Sequence, residues 1–95
     1  MNETVRCVAL RIEGRVQGVG YRAWLADTAR AHGLDGFGRN RRDGTVEALL
    51  AGPPEAVEAV IARCHDGPAL ARVDRVAVTP AEPPASPGFH VLPTA

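Results

Sequence analysis

Residues 14–22 read GRVQGVGYR. Gly14, Gly18 and Gly20 give the stretch unusual backbone freedom, and Arg22 follows with a fixed positive charge. Backbone without Cβ atoms can turn several N–H groups onto one anion, and a following helix N-terminus adds partial positive charge. A guanidinium can then fork onto phosphoryl oxygens. From the glycines alone, a phosphate cradle and a plain flexible connection are both open. Arg22 shifts the balance towards the cradle. A cation is mildly unfavourable at a helix start, so something negative is expected to compensate it.

Two familiar phosphate motifs fail here. The P-loop requires a lysine after its glycines, and all eleven basic residues of this chain are arginine. Residues 18–23, GVGYRA, satisfy the dinucleotide fingerprint in letter only. That fold needs repeated βαβ units, whereas the segment that follows here has the pattern of a hairpin.

The rest of the inventory narrows the chemistry. His32, His65 and His90 have no ligand spacing, and Cys7 and Cys64 stand far apart with no CxxC pair. No metal site is expected. A distant disulfide is open, but two buried thiols in a reducing compartment fit better. Eleven basic residues balance eleven acidic ones, which argues against nonspecific nucleic-acid binding. At 45% hydrophobic and 23% charged, the chain has the composition of a globular domain rather than a disordered one. The opening residues MNETVRCVAL contain no apolar signal core, and no run is long enough to span a membrane. A cytoplasmic location is expected.

These residues need elements to position them. VRCVALRIEG alternates as a strand, with Val8, Leu10 and Ile12 on one side and Cys7, Ala9 and Arg11 on the other. A helix is predicted from about Arg22 to His32, with Leu25, Ala29 and His32 on one face and Gly33 as its left-handed stop. Asp43-Gly44 is the strongest hairpin signal, and Thr45 to Ala51 form its second arm with Val46, Ala48 and Leu50 on one face. A second helix follows in PPEAVEAVIARCHDG, buried through Val57, Val60, Ile61 and Cys64 and stopped by Gly67. LARVDRVAVTP is a fourth strand, AEPPASPG a proline-rich loop or edge, and FHVL a short last strand at a sheet margin. The order β-α-β-β-α-β is the α+β, ferredoxin-like sandwich, with an antiparallel sheet, two helices on one face and a short extra C-terminal strand. Residues 1–95 read as one domain.

Two motifs together resemble the acylphosphatase family. GRVQGVGYR is similar to its loop signature, G-[RK]-V-Q-G-V-x-[FY]-R. GFGRNRRDGTVE, residues 36–47, is similar to its second signature, G-W-V-x-N-x-x-D-G-[ST]-V-E. GPALARVDRV and GFHV agree with the family's later strands, so the likeness spans nearly the whole chain. Phe37 stands in place of tryptophan and Gly38 in place of valine. A glycine within a strand removes a packing side chain and loosens the backbone, here two residues before Asn40. His32 replaces a usual leucine and is read as partly buried, not catalytic.

The resemblance implies hydrolysis of the carboxyl-phosphate bond of acyl phosphates without metal or cofactor. It implies that Arg22 and Asn40 are catalytic and that Arg15, Val16, Gln17, Gly18, Val19 and Gly20, with Arg22, bind the phosphate. The chemistry is consistent with that set. The leaving group is a carboxylate, stable as an anion at neutral pH, so it needs no proton. What remains is to hold the phosphoryl group, spread its charge and aim a water in line. Without the motif Asn40 reads equally well as a polar residue before a turn; with it, the role of holding that water is favoured. Asp43 is better explained by the turn than by acid–base work, and Glu47 by the strand surface. The Arg39, Arg41 and Arg42 group reads as a solvated face that can also attract anions. A noncatalytic phosphate-binding module on the same fold is the alternative function, with Gly38 its best support. RNA binding on the sheet is disfavoured, because Cys7, Ala9 and Arg11 offer no aromatic platform. The expected partner is a small acyl phosphate, with no nucleic acid and no membrane, and the chain is expected to be a monomer.

Overall fold

The structure is a computed structural model and describes residues 4–95. Its elements run β1 (Arg6–Arg15), α1 (Tyr21–Ala31), β2 (Asp35–Asn40), β3 (Val46–Gly52), α2 (Pro54–Cys64), β4 (Arg72–Pro80) and β5 (Phe89–Val91). They form a five-stranded sheet in the order β4-β1-β3-β2-β5. This is the expected plan with one refinement. β1, β2, β3 and β4 pair antiparallel, but β5 runs parallel to β2, from Gly36↔Phe89 to Gly38↔Val91. The sheet is therefore mixed, with β5 at its margin.

Alternation decides the faces. Val8, Leu10 and Ile12 on β1 and Val46, Ala48 and Leu50 on β3 are all buried, as a half-covered sheet requires. Leu25 and Ala29 of α1 and Val57, Val60, Ile61 and Cys64 of α2 join them in one core. Both helices close as their sequences suggest, Gly33 and Gly67 each taking a φ of 69°. His32 is half-buried at the end of α1, its Nδ1 2.9 Å from the Thr28 carbonyl. Cys64 is buried and Cys7 half-buried, and both thiols are free.

The turn between β2 and β3 is built around Asp43. Its carboxylate accepts the Thr45 backbone N–H at 3.0 Å and the Thr45 hydroxyl at 2.7 Å, while Gly44 supplies a φ of 96°. The other end of the sheet hands β1 to the glycine stretch. A bulge between Glu13 and Gly14 shifts the β1–β4 register, and a Cβ on Gly14 would lie 2.2 Å from the Arg72 carbonyl oxygen. Only glycine fits this close crossing, which turns the chain into the loop.

Candidate active site

Residues 16–20 connect β1 to α1 across the end of the sheet where β2 finishes at Asn40. Gly18 and Gly20 have φ values of 75° and 76°, the left-handed region that glycine enters without strain. Gly20 is also the residue that opens α1, and no side chain caps the amides of that helix. No acidic residue occupies the first turn of α1, where Arg22 adds a further positive charge. An uncapped helix start, its preceding glycine loop and a guanidinium thus lie beside one another. They meet the condition under which a helix N-terminus takes an anion.

The spot is a cleft of about 190 Å³ lined by Val16, Gln17, Gly18, Gly20, Tyr21, Arg22, Ala23 and Asn40. Arg22 enters from the second position of α1. Its Nη1 donates to the Leu92 carbonyl at 2.9 Å, which tethers one edge of a guanidinium with five N–H donors and leaves the others for a ligand. Asn40 enters from the last position of β2, held in register opposite Val46. Its Oδ1 is buried and has no hydrogen-bond partner among the described residues. Buried carbonyl-type oxygens are nearly always satisfied, so an orphan beside the cleft calls for an explanation.

The structure brings Arg22, Asn40 and the loop residues Val16, Gln17, Gly18 and Gly20 to one cleft. It leaves two of the expected phosphate binders outside the lining. Arg15 is the exposed last residue of β1, opposite Arg72, and the half-buried Val19 packs against the core. The Val16 side chain is itself buried, so its contribution is main chain only. The Gln17 side chain makes a separate contact, beside whatever its main-chain amide binds. Its Nε2 donates to the Arg41 carbonyl at 2.7 Å and the Thr45 carbonyl at 2.8 Å. Both amide protons are thus committed to the β2–β3 turn, and the side chain ties the loop to the hairpin that carries Asn40.

Gly38 does not loosen β2. It is paired on both sides, with Ala48 and Val91, and a Cβ there would lie 3.2 Å from Leu25 Cδ2 and 3.8 Å from Arg22 Cγ. The volume that a valine would fill is occupied by the first turns of α1, including the stem of Arg22. Beneath the loop, Tyr21 is buried, stacks at a tilt on Trp24 at 5.2 Å and donates its hydroxyl to the Cys64 carbonyl at 2.6 Å. Burial, helped by the Cys64 contacts, pushes its phenol well above the ordinary range, so it serves as a neutral donor. Burial likewise pushes the Cys64 thiol up to about 11.

Two larger hollows of about 420 and 390 Å³ lie elsewhere. The first, around Arg11, Arg41, Asp43 and Glu47, has its charges already paired: Arg11 with Asp43 at 3.0 Å, and Arg41 with Glu47 at 3.3 Å. Arg39 also pairs with Glu47, at 2.7 Å, so the basic group and the two carboxylates largely compensate one another. The second hollow lies between Phe37, Leu49 and the proline-rich segment. Among the described residues no group of three His, Cys, Asp or Glu side chains could hold a metal ion.

The acylphosphatase family model matches residues 8–91. The chain belongs to the acylphosphatase family. An acylphosphatase of Azorhizobium caulinodans is 59% identical over 86 residues, covering 90% of this chain and 92% of that protein. One of Rhodospirillum rubrum is 51% identical over 90 residues, covering 95% and 99%. The crystal structure of acylphosphatase from Bacillus subtilis matches with a TM-score of 0.86 at 29% identity, covering 94% of this chain and 99% of that one. Acylphosphatase membership carries the reaction class: the chain is an enzyme that hydrolyses acyl phosphates.

Proposed function

We propose that the enzyme cleaves the carboxyl-phosphate bond with a division of labour between main chain, Arg22 and Asn40. The main-chain amides around Val16–Gly20 and the start of α1 take the phosphoryl oxygens, and the untethered donors of Arg22 close over them. Asn40 holds the attacking water. Its Oδ1 accepts one water proton and leaves a water lone pair facing phosphorus, in line with the departing carboxylate. The bond to the carboxylate oxygen breaks with its electron pair going to that oxygen, so no general acid is required. Binding and positioning supply the rate enhancement, and no metal or cofactor takes part in these steps. The orphaned, buried Oδ1 of Asn40 beside bare helix amides carries this reading.

In this reading a single copy of the chain acts on a small acyl phosphate. Unpaired Cys7 and Cys64 support a reducing, cytoplasmic setting. Among the described residues no helix is long and apolar enough to cross a membrane.

The test is hydrolysis of acetyl phosphate or benzoyl phosphate in EDTA, with inorganic phosphate as inhibitor. Arg22→Ala is expected to lose at least roughly 10²-fold in turnover and to weaken phosphate inhibition. Asn40→Ala is expected to lose turnover and keep phosphate inhibition. Weakened phosphate inhibition with intact turnover in Asn40→Ala would refute the division of labour. A wild-type chain that binds phosphate but does not hydrolyse either substrate would instead be the noncatalytic module.

A further inference from the structure

The segment beyond β5 does not line the cleft, but its backbone bonds to Arg22 and Asn40, which do. The Leu92 N–H donates to the Gly38 carbonyl at 2.9 Å, and the Leu92 carbonyl accepts from Arg22 Nη1 at 2.9 Å. Three residues on, the Ala95 N–H donates to the Asn40 carbonyl at 3.0 Å, and the Arg42 N–H donates to the Ala95 carbonyl at 2.9 Å. One short run of chain therefore holds the guanidinium of Arg22 directly and grips β2 at and just beyond Asn40.

Its anchoring is specific. Pro93 disfavours helical backbone at Leu92, which narrows the directions the Leu92 carbonyl can take. Upstream, Arg30 of α1 donates through Nε and Nη2 to the Phe89 carbonyl at 3.1 and 2.8 Å. Two arginines of one helix thus grip two carbonyls of the marginal strand and its extension. A long arginine side chain has many rotamers, and one tethered nitrogen removes much of its freedom before a ligand arrives. The segment offers little to the core: Pro93 and Thr94 are exposed, and Leu92 and Ala95 are half-buried.

We infer that Leu92–Ala95 is a positioning element of the reaction, aiming Arg22 through the Leu92 carbonyl and fixing the strand end of Asn40 through Ala95. This rests on the roles proposed above for Arg22 and Asn40.

Three variants test it, with kcat, KM, phosphate inhibition and melting temperature measured for each. A chain ending at Val91 loses both anchors. It is expected to lose about 10²-fold in kcat/KM, the scale of a small misplacement of reacting groups, with weaker phosphate inhibition. Ala95→Pro removes only the N–H given to Asn40. It is expected to lower kcat roughly tenfold and leave phosphate inhibition unchanged. Pro93→Gly frees the Leu92 carbonyl and is expected to raise KM and weaken phosphate inhibition by about threefold with little change in kcat. If the shortened chain does not fold, the two full-length variants decide.

Full-length variants with kinetics within about twofold of wild type, beside inactive Arg22→Ala and Asn40→Ala, overturn the positioning role alone. So does a loss of kcat and phosphate inhibition in parallel with melting temperature in Ala95→Pro, which would make the segment merely structural. Activity surviving in Arg22→Ala and Asn40→Ala sinks the roles on which the inference stands.

Discussion

The two helices are the same length, eleven residues each, and begin in opposite ways. α2 enters through Pro53 and Pro54, with Glu55 in its first turn. Proline has no N–H to satisfy, and the carboxylate complements the positive helix end. Neither helix has a capping side chain, but α1 enters through a left-handed glycine, with no acid in its first turn and an arginine at its second position. By the rules of helix stability α1 is the worse start, and it is the one at the cleft. The β2–β3 turn belongs with α2, since Asp43 satisfies the Thr45 donors from within the chain. The difference between the two helix starts is one of charge: α2 carries a carboxylate in its first turn, and α1, at the cleft, carries a guanidinium. On the role proposed for this helix start, a bound phosphoryl group would supply the stability that α1 lacks there.

The sharpest way to break the contrast is to give α1 what α2 has. Ala23 is exposed in the first turn of α1 and lines the cleft. In Ala23→Glu the new carboxylate can accept from the bare amides and pair with Arg22, acting as a built-in competitor. Phosphate inhibition is expected to weaken by about tenfold or more, while stability rises by about 0.3–1 kcal/mol. Inhibition kinetics and thermal melts on one preparation check both. Unchanged phosphate inhibition would mean that the helix start is not the anion site.

Gln17→Met comes next. It keeps the length of the side chain and removes both donors to the hairpin. The Arg41 and Thr45 carbonyls keep other partners, the Gly44 and Arg41 N–H groups, so the expected loss of stability is about 1 kcal/mol. The loop then floats relative to Asn40, and kcat is expected to fall roughly tenfold, out of proportion to that loss. A fall no larger than the stability change explains would return Gln17 to an ordinary structural role.

Much of this was legible in the chain because side-chain chemistry announces itself. Gly33 and Gly67 mark helix ends, Asp43-Gly44 marks the turn, and Arg22 and Asn40 stand within two motifs. The missing parts are those made by main chain or by packing. Every residue carries a carbonyl, so nothing in LPTA distinguishes the one that holds Arg22. A three-residue strand is too short to show a period, and its parallel direction follows from a connection that crosses the whole sheet. Gly38 suggested a gap because the helix that fills it comes from elsewhere in the sequence. Gln17 lay in the right motif, but its target, a pair of carbonyls more than twenty residues away, has no signature.

Glu55→Gln, the counterpart on the conventional helix, removes a charge that only the fold uses. It is expected to cost about 0.3–1 kcal/mol and to leave kcat and KM unchanged. A change in phosphate inhibition would show that the two helix starts are not electrically independent.

The smallest effect concerns pH. The hydroxyl of Thr45, with its backbone N–H and the nearby Arg11 and Arg41, holds the Asp43 carboxyl below its ordinary value against slight desolvation. Its folded value therefore lies below the unfolded one of about 3.9. Asp43 thus contributes stability that is fully present above that unfolded value and lost as pH falls through the depressed folded one. Asp43→Asn keeps the turn's acceptor and removes the titration. The stability gap between wild type and variant is expected to be constant above about pH 5 and to close below about pH 4, read from urea midpoints. No acidic side chain lines the cleft, so phosphate inhibition in the two proteins should follow pH identically. A difference there would make Asp43 part of the anion site and remove the turn from the self-satisfied half of the molecule.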